Sequence, residues 1–267
     1  MIRYGIQLIY PQVILGGSAM YALCHLRGAK ALLEQLSNIL TMASQPGLRF
    51  LNKIFHYFDV MVALSLQQAP LSGSCYPEQA GEIVDEVFGL TAIPMMHRLA
   101  HILAIKKQYQ IDAIIQTQAA TLAQELIEWR PGQRSDVDKL KDDNDVDQET
   151  TIQIANSYRF SALLVLCNEV LNRQAPEYRY QIYHQALESV LRTAALDGPM
   201  ATLVWPLFTV GKYSQSPADR TLLRHIFLKL FNRQHMKVVE TASNSMKLMW
   251  NTEDPEVPDL HAPVFFA

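Results

Sequence analysis

The sequence has only three cysteines, Cys24, Cys75 and Cys167, in 267 residues. An odd number at wide spacing excludes a disulfide framework and the paired spacing of a structural zinc site. Free thiols suit a reducing compartment. All three are expected to be inert, since small buried cysteines behave as hydrophobes, and Cys167 ends the apolar run Ala162–Cys167. Long hydrophobic runs are also missing. A membrane-spanning helix needs ~20 apolar residues, and Leu8–Leu15 is short and broken by Pro11. The chain therefore reads as soluble. Positive charge is not in excess either: Lys and Arg number 23 against 26 Asp and Glu, a net charge of −3. Gripping duplex DNA requires a concentrated basic face, so this segment is not expected to bind nucleic acid itself.

Catalytic signatures are absent as well. There is no Gly-rich phosphate loop, nucleophile elbow, CxxC pair or defined pair of acids. No catalytic residue, metal ligand or cofactor is assigned. Scattered Ser, His and Asp residues do not define a triad, which exists only in space. No convincing strand and no fixed-period repeat is seen, which argues against a solenoid.

What is present is apolar helical periodicity over nearly the whole length, with 49% hydrophobic residues. That is enough to build one large core, and residues 1–267 are expected to form a single domain. Helices are predicted over Ser18–Leu40, Gly47–Leu66, Ile93–Tyr109, Ile111–Trp129, Gln148–Arg173, Glu177–Thr193, Met200–Tyr213 and Met236–Trp250, with Ser72–Gly89 as a loop. Another has a clear start: Ser216 as cap, Pro217 in the first position and Asp219 in the first turn. Pro206 should start or kink its helix. Residues 131–147 are rich in aspartate and poor in apolar side chains, and are expected to form an acidic flexible loop within the domain. The predicted fold is all-α: a compact array of about eight to ten helices, with central apolar helices surrounded by amphipathic ones.

Several residues stand out against this pattern. Asp59 and Arg159 are charges inside apolar helices, and buried charges need partners. They are expected to pair with each other or with backbone ends, fixing helix packing; lining a ligand pocket is the sharper alternative. His56, Tyr57, Trp205 and Phe208 could line an apolar pocket between central helices, against ordinary core packing. His97 and His101 lie one turn apart but lack the third ligand of a zinc site. Asp143, Asp145 and Asp147 alternate like a calcium loop, but Gln148 and Ile154 stand where that loop needs Gly and Glu, favouring a solvated acidic segment.

Four stretches together resemble the fungus-specific regulatory domain of binuclear zinc-cluster transcription factors. They are His25-Leu-Arg-Gly-Ala-Lys-Ala-Leu-Leu33, Ile54-Phe-His-Tyr-Phe-Asp-Val-Met-Val-Ala-Leu-Ser65 and Tyr158-Arg-Phe-Ser-Ala-Leu-Leu164, then Val204-Trp-Pro-Leu-Phe-Thr-Val-Gly211 with Asp219-Arg220 and Met249-Trp250. In this order they cover roughly residues 18 to 252. The sterol-sensing regulators of yeasts belong to this broad family. The resemblance implies an all-α domain that senses a small apolar metabolite or contacts a co-regulator protein, usually in a nuclear dimer. The six-cysteine zinc cluster of the family is not in this chain, so direct DNA binding is not expected of it. The competing expectation is a short relative turned into a motif-less cytoplasmic enzyme of secondary metabolism, orienting a hydrophobic substrate in an apolar pocket. A third is a structural dimerisation module.

Overall fold

The computed structural model describes residues 19–37, 46–73, 92–109, 113–130, 145–171, 175–196 and 201–251. Among the described residues there are nine α-helices and no strand. They are α1 (Ala19–Ser37), α2 (Pro46–Leu66), α3 (Ile93–Gln108), α4 (Ala113–Glu128), α5 (Asp145–Val165), α6 (Pro176–Ala195), α7 (Val204–Lys212), α8 (Pro217–Gln234) and α9 (Lys237–Asn251). A single π-turn, Leu166–Val170, continues α5, and a 3₁₀ turn, Ala201–Leu203, leads into α7. The predicted all-α class holds.

Local chemistry explains the boundaries. Ser216 caps α8 by accepting a hydrogen bond from the Asp219 amide at 3.4 Å, and Pro217 occupies the first helical position. Pro206 falls in the first turn of α7, where the backbone donor it lacks would have had no partner in the helix. α8 ends at His235, which adopts the left-handed conformation at φ 52°.

Two expectations need correction. The acidic loop was placed over 131–147, yet Asp145, Val146 and Asp147 already belong to α5; residues 131–144 lie outside the described residues. Apolar patterning marked where α5 becomes buried, and the acidic first turn continues the helix beyond that signal. The helix predicted to run on to Arg173 instead widens at Leu166 and stops: the Leu171 amide donates five residues back, to the Leu166 carbonyl, at 2.7 Å.

The packing follows the predicted layering. α2 is buried without interruption from Ile54 to Leu64, between α1 and α3. α5 packs on α4, α6 and α7 and is buried on every side from Ser161 to Cys167. α9 is amphipathic, with Val238, Val239, Ala242, Met246 and Trp250 turned inward against α7 and α8. α7 and α9 approach closely because residue 211 is glycine. A Cβ there would meet the Met246 sulfur at 2.0 Å, so Met246 would have to leave its fully buried position.

Candidate functional site

Four clusters of polar side chains lie at joints of the core, centred on Asp59, Arg159, Tyr158 and Glu169. The first joins α2 to α3. Asp59 is 1% exposed, and its carboxylate reaches the turn after α2. Oδ1 accepts from the Leu71 amide at 2.8 Å; Oδ2 accepts from the Ser72 amide and the Ser72 hydroxyl, both at 2.8 Å. The turn contains Gly73 at φ 91°, a backbone conformation that favours glycine. Ser72 Oγ also lies 3.1 Å from His97 Nε2. A hydroxyl has one proton, and Asp59 takes it, so His97 must donate from Nε2. His101 donates likewise to the Gly73 carbonyl at 2.6 Å, and the two rings meet edge to face at 4.9 Å between centroids. The order of groups is therefore carboxylate, serine, histidine. Activating a serine requires the histidine between the other two, so this cluster holds a turn rather than a nucleophile.

Burial pushes His97 from its ordinary value down to about 4, with His101 adding to the shift. Burial likewise lowers His56 to about 4, although the Asp59 charge opposes it. Both rings are neutral near pH 7. The pair His97 and His101 is thus accounted for by the turn. Among the described residues no three His, Cys, Asp or Glu side chains converge on a metal position.

The second joint is Arg159. Its guanidinium donates to the last carbonyls of α4: Nε to Leu126, and Nη2 to Ile127 at 2.7 Å. A cation at these orphaned carbonyls also complements the helix dipole. Burial, then Arg130, lowers Arg159 to about 10, which leaves it charged at neutral pH. Asp59 and Arg159 thus each pair with backbone. The two do not pair with each other: Asp59 is engaged by the turn after its own helix, and Arg159 by the carbonyl end of α4.

At the third joint Tyr158 donates to the Thr202 carbonyl at 2.7 Å and stacks on Trp205 at 5.5 Å between centroids. Burial raises the Tyr158 hydroxyl well above its ordinary value, and Tyr57 lies within hydrogen-bonding reach of it. Phe208, half-buried, stands one turn beyond Trp205 on α7. The candidate ligand residues are therefore brought to three places: His56 and Asp59 on α2, Arg159 at the end of α4, and Trp205 with Phe208 on α7.

The fourth joint is at the π-turn. Glu169 accepts from Lys106 of α3 at 2.5 Å, from Lys212 of α7 at 2.6 Å and from Tyr213 at 2.8 Å. Burial alone would raise its carboxyl; the two ammonium groups and the phenol outweigh burial and hold it near 2. Replacing Glu169 with glutamine removes the counter-charge of two lysines in a mostly enclosed site. The expected loss is about 2 kcal/mol, read as a lower urea midpoint at unchanged slope. A loss below about 0.5 kcal/mol would show that the lysines are served by water instead. Periodicity could not find this joint: Glu169 follows an apolar run at a spacing that an α-helix would place differently.

The cysteines divide. Cys167 is buried, and burial pushes its thiol up to about 11, in keeping with an inert side chain. Cys24 is exposed on α1, which corrects its expected burial; its neighbours Ala22, Leu23 and Leu26 face inward and turn residue 24 outward. Cys75 and Asp143 lie outside the described residues, while Asp145 and Asp147 are helical and not in a metal-binding loop.

The C-terminal motif closes on itself. The Trp250 indole donates to the Gly211 carbonyl at 2.9 Å, and Arg220 and Arg224 lie over its ring at 5.6 and 5.2 Å. Asp219 accepts from Tyr183 of α6 at 3.0 Å. Several residues that carry the resemblance, among them Arg159, Tyr158, Asp219 and Trp250, therefore bond from one element to another.

These joints define an all-helical module whose buried polar groups hold helices to one another. The chain belongs to the fungal-specific transcription factor domain family, whose family model matches residues 6–261. No curated protein and no solved structure matches it. Membership carries a general role in regulating transcription. Among the described residues no helix is long and apolar enough to cross a membrane.

Proposed function

We propose that this domain is the effector-sensing part of a nuclear transcription regulator, taking a small apolar metabolite or a co-regulator and leaving DNA contact to other segments. The observation that supports this most is where the polar joints lie. Asp59 ties its helix to the turn that follows, Arg159 ties α5 to the end of α4, and Glu169 ties the π-turn to α3 and α7, each through a few bonds, so two packings can differ by only a few such bonds. An effector that prefers one packing shifts the population by its difference in affinity. The aromatic joint of Tyr158 and Trp205, with His56, Asp59, Arg159 and Phe208 on the elements around it, is the proposed effector region. The net charge of −3 supports a role without direct nucleic-acid contact.

The test is thermal unfolding of the domain against a panel of apolar metabolites. The cognate effector at a hundred times its Kd is expected to add about 2.7 kcal/mol of stability. Replacing the half-buried Phe208 with leucine should weaken that gain. If no member of the panel moves the melting temperature, small-molecule sensing is withdrawn and the co-regulator reading is left.

A further inference from the structure

We propose that the domain opens and closes along one seam, with α1–α4 moving as one body against α5–α9. Among the described residues α1 packs on α2, α2 on α3 and α3 on α4; in the second set α6 and α7 pack on α5, and α8 and α9 pack on α7. The two sets meet chiefly where α4 runs along α5 and where the π-turn touches α3 and α4. The first set is tied within itself. His97 and His101 of α3 hold the turn after α2, and Lys107 donates to the Leu66 carbonyl at the end of α2, at 2.9 Å. Arg98 of α3 pairs with both carboxylate oxygens of Glu125 on α4. The second set has its own ties: Tyr158 to the Thr202 carbonyl, Lys212 and Tyr213 to Glu169, and Trp250 to the Gly211 carbonyl.

The polar ties across the seam sit at its ends. Arg159 holds the last carbonyls of α4, while Gln116, near the start of α4, donates to the Val170 carbonyl at 2.9 Å. The two points are about 15 Å apart along the helix. Lys106 reaches Glu169 from α3 at 2.5 Å. The Leu126, Ile127 and Val170 acceptors are carbonyls at helix ends, which water can satisfy when the seam opens. Between the two ends the buried side chains of α4 are Ala119, Leu122 and Ala123, a shallow strip with little to interlock. An interface inside one chain permits relative motion unless it is large and apolar, and packed helices close by sliding. The seam also passes through the proposed effector region. His56 and Asp59 lie on its α2 side, Arg159, Trp205 and Phe208 lie on the other, and Tyr57 of α2 is within hydrogen-bonding reach of Tyr158 of α5. A ligand held by both bodies binds best at one separation and shifts the population towards it. This deepens the effector reading and rests on it for the cause of the motion; the motion itself is tested with no effector present.

The experiment measures distances between two spin labels on the full chain. In a Cys75→Ser background the exposed Cys24 of α1 carries one label, and the buried Cys167 stays unreactive. The second label goes on Leu228→Cys of α8, across the seam, or on Thr121→Cys of α4, within the same body; both positions are exposed. Cutting two ties with Lys106→Met and Gln116→Ala should split the distance across the seam or widen its distribution about twofold. The distance from Cys24 to position 121 should stay narrow in the same variant. Arg98→Leu cuts a tie inside the first body and should leave the distance across the seam as in the wild type. If the double variant loses its helical circular dichroism, Lys106→Met alone is read in the same way, with a smaller widening expected. The proposal is overturned if the distance across the seam keeps its width, or if the distance within α1–α4 widens as much. Because no effector is added, this outcome is independent of the metabolite panel.

Discussion

Lowering the pH from 6.5 to about 4 is expected to remove on the order of 3 kcal/mol of stability for each of His56 and His97. Both rings are held neutral in the folded protein, with values near 4 against 6.5 when unfolded. Between those values the unfolded chain binds more protons, so stability falls as the pH falls through the window and is fully present above it. Two such losses form a large part of the ~5–15 kcal/mol that holds a typical domain together. Glu169, held near 2 against 4.5 when unfolded, adds to the fall only below about pH 5, where the unfolded carboxylate begins to take up a proton that the folded one refuses. Equilibrium urea unfolding at a series of pH values reads the effect directly. The His97→Gln and His56→Leu variants should each flatten the acid limb. A flat profile between pH 6.5 and 4.5 would mean that the two rings are more hydrated than their near-complete burial implies.

Asp59→Ala is the second large expected effect, at about 3–5 kcal/mol. Three donors lose their acceptor together: the Leu71 and Ser72 amides and the Ser72 hydroxyl. Leaving buried donors unpaired costs about 1–3 kcal/mol each, less where water reaches them. Asp59→Asn should recover only part of the loss, since its amide nitrogen would face a backbone donor. For a chain of this size the alanine change should lower the melting temperature by roughly 10 °C. The readout beyond global stability is amide exchange: the turn after α2 should lose protection before α5 does. Equal loss across both would show that Asp59 supports the core in general and not this turn.

How much of this was legible in the sequence depends on the kind of signal. The helices of the core were readable because burial imposes a period, as in α9 and α2. The cap of α8 was readable because Ser216, Pro217 and Asp219 act on their own neighbours. Asp59 and Arg159 announced themselves as charges in apolar surroundings, and the need for a partner followed. Which partner did not follow. Their acceptors and donors are backbone groups, which carry no sequence identity, so Arg159 reading the end of α4 left no trace in residues 126 and 127. The Glu169 joint was hidden twice. Its partners lie 63 and 43 residues away, and the π-turn that aims it has no pattern of its own. The distribution of the candidate ligand residues over separate joints is a property of the packing.

The π-turn also sets a tolerance for chain length. Five residues are accommodated where an α-helix would close its bond with one fewer, so this last turn holds one residue more than an α-helical turn would. Deleting one residue between 166 and 170 would let ordinary helix form, at little backbone cost. A deletion before Glu169 would also turn that side chain by about 100° around the helix, carrying it away from Lys106 and Lys212. A length change that the backbone accepts and the charges reject is a ratchet: relatives with and without the extra residue would be locked into different helix registers, each requiring its own set of counter-charges.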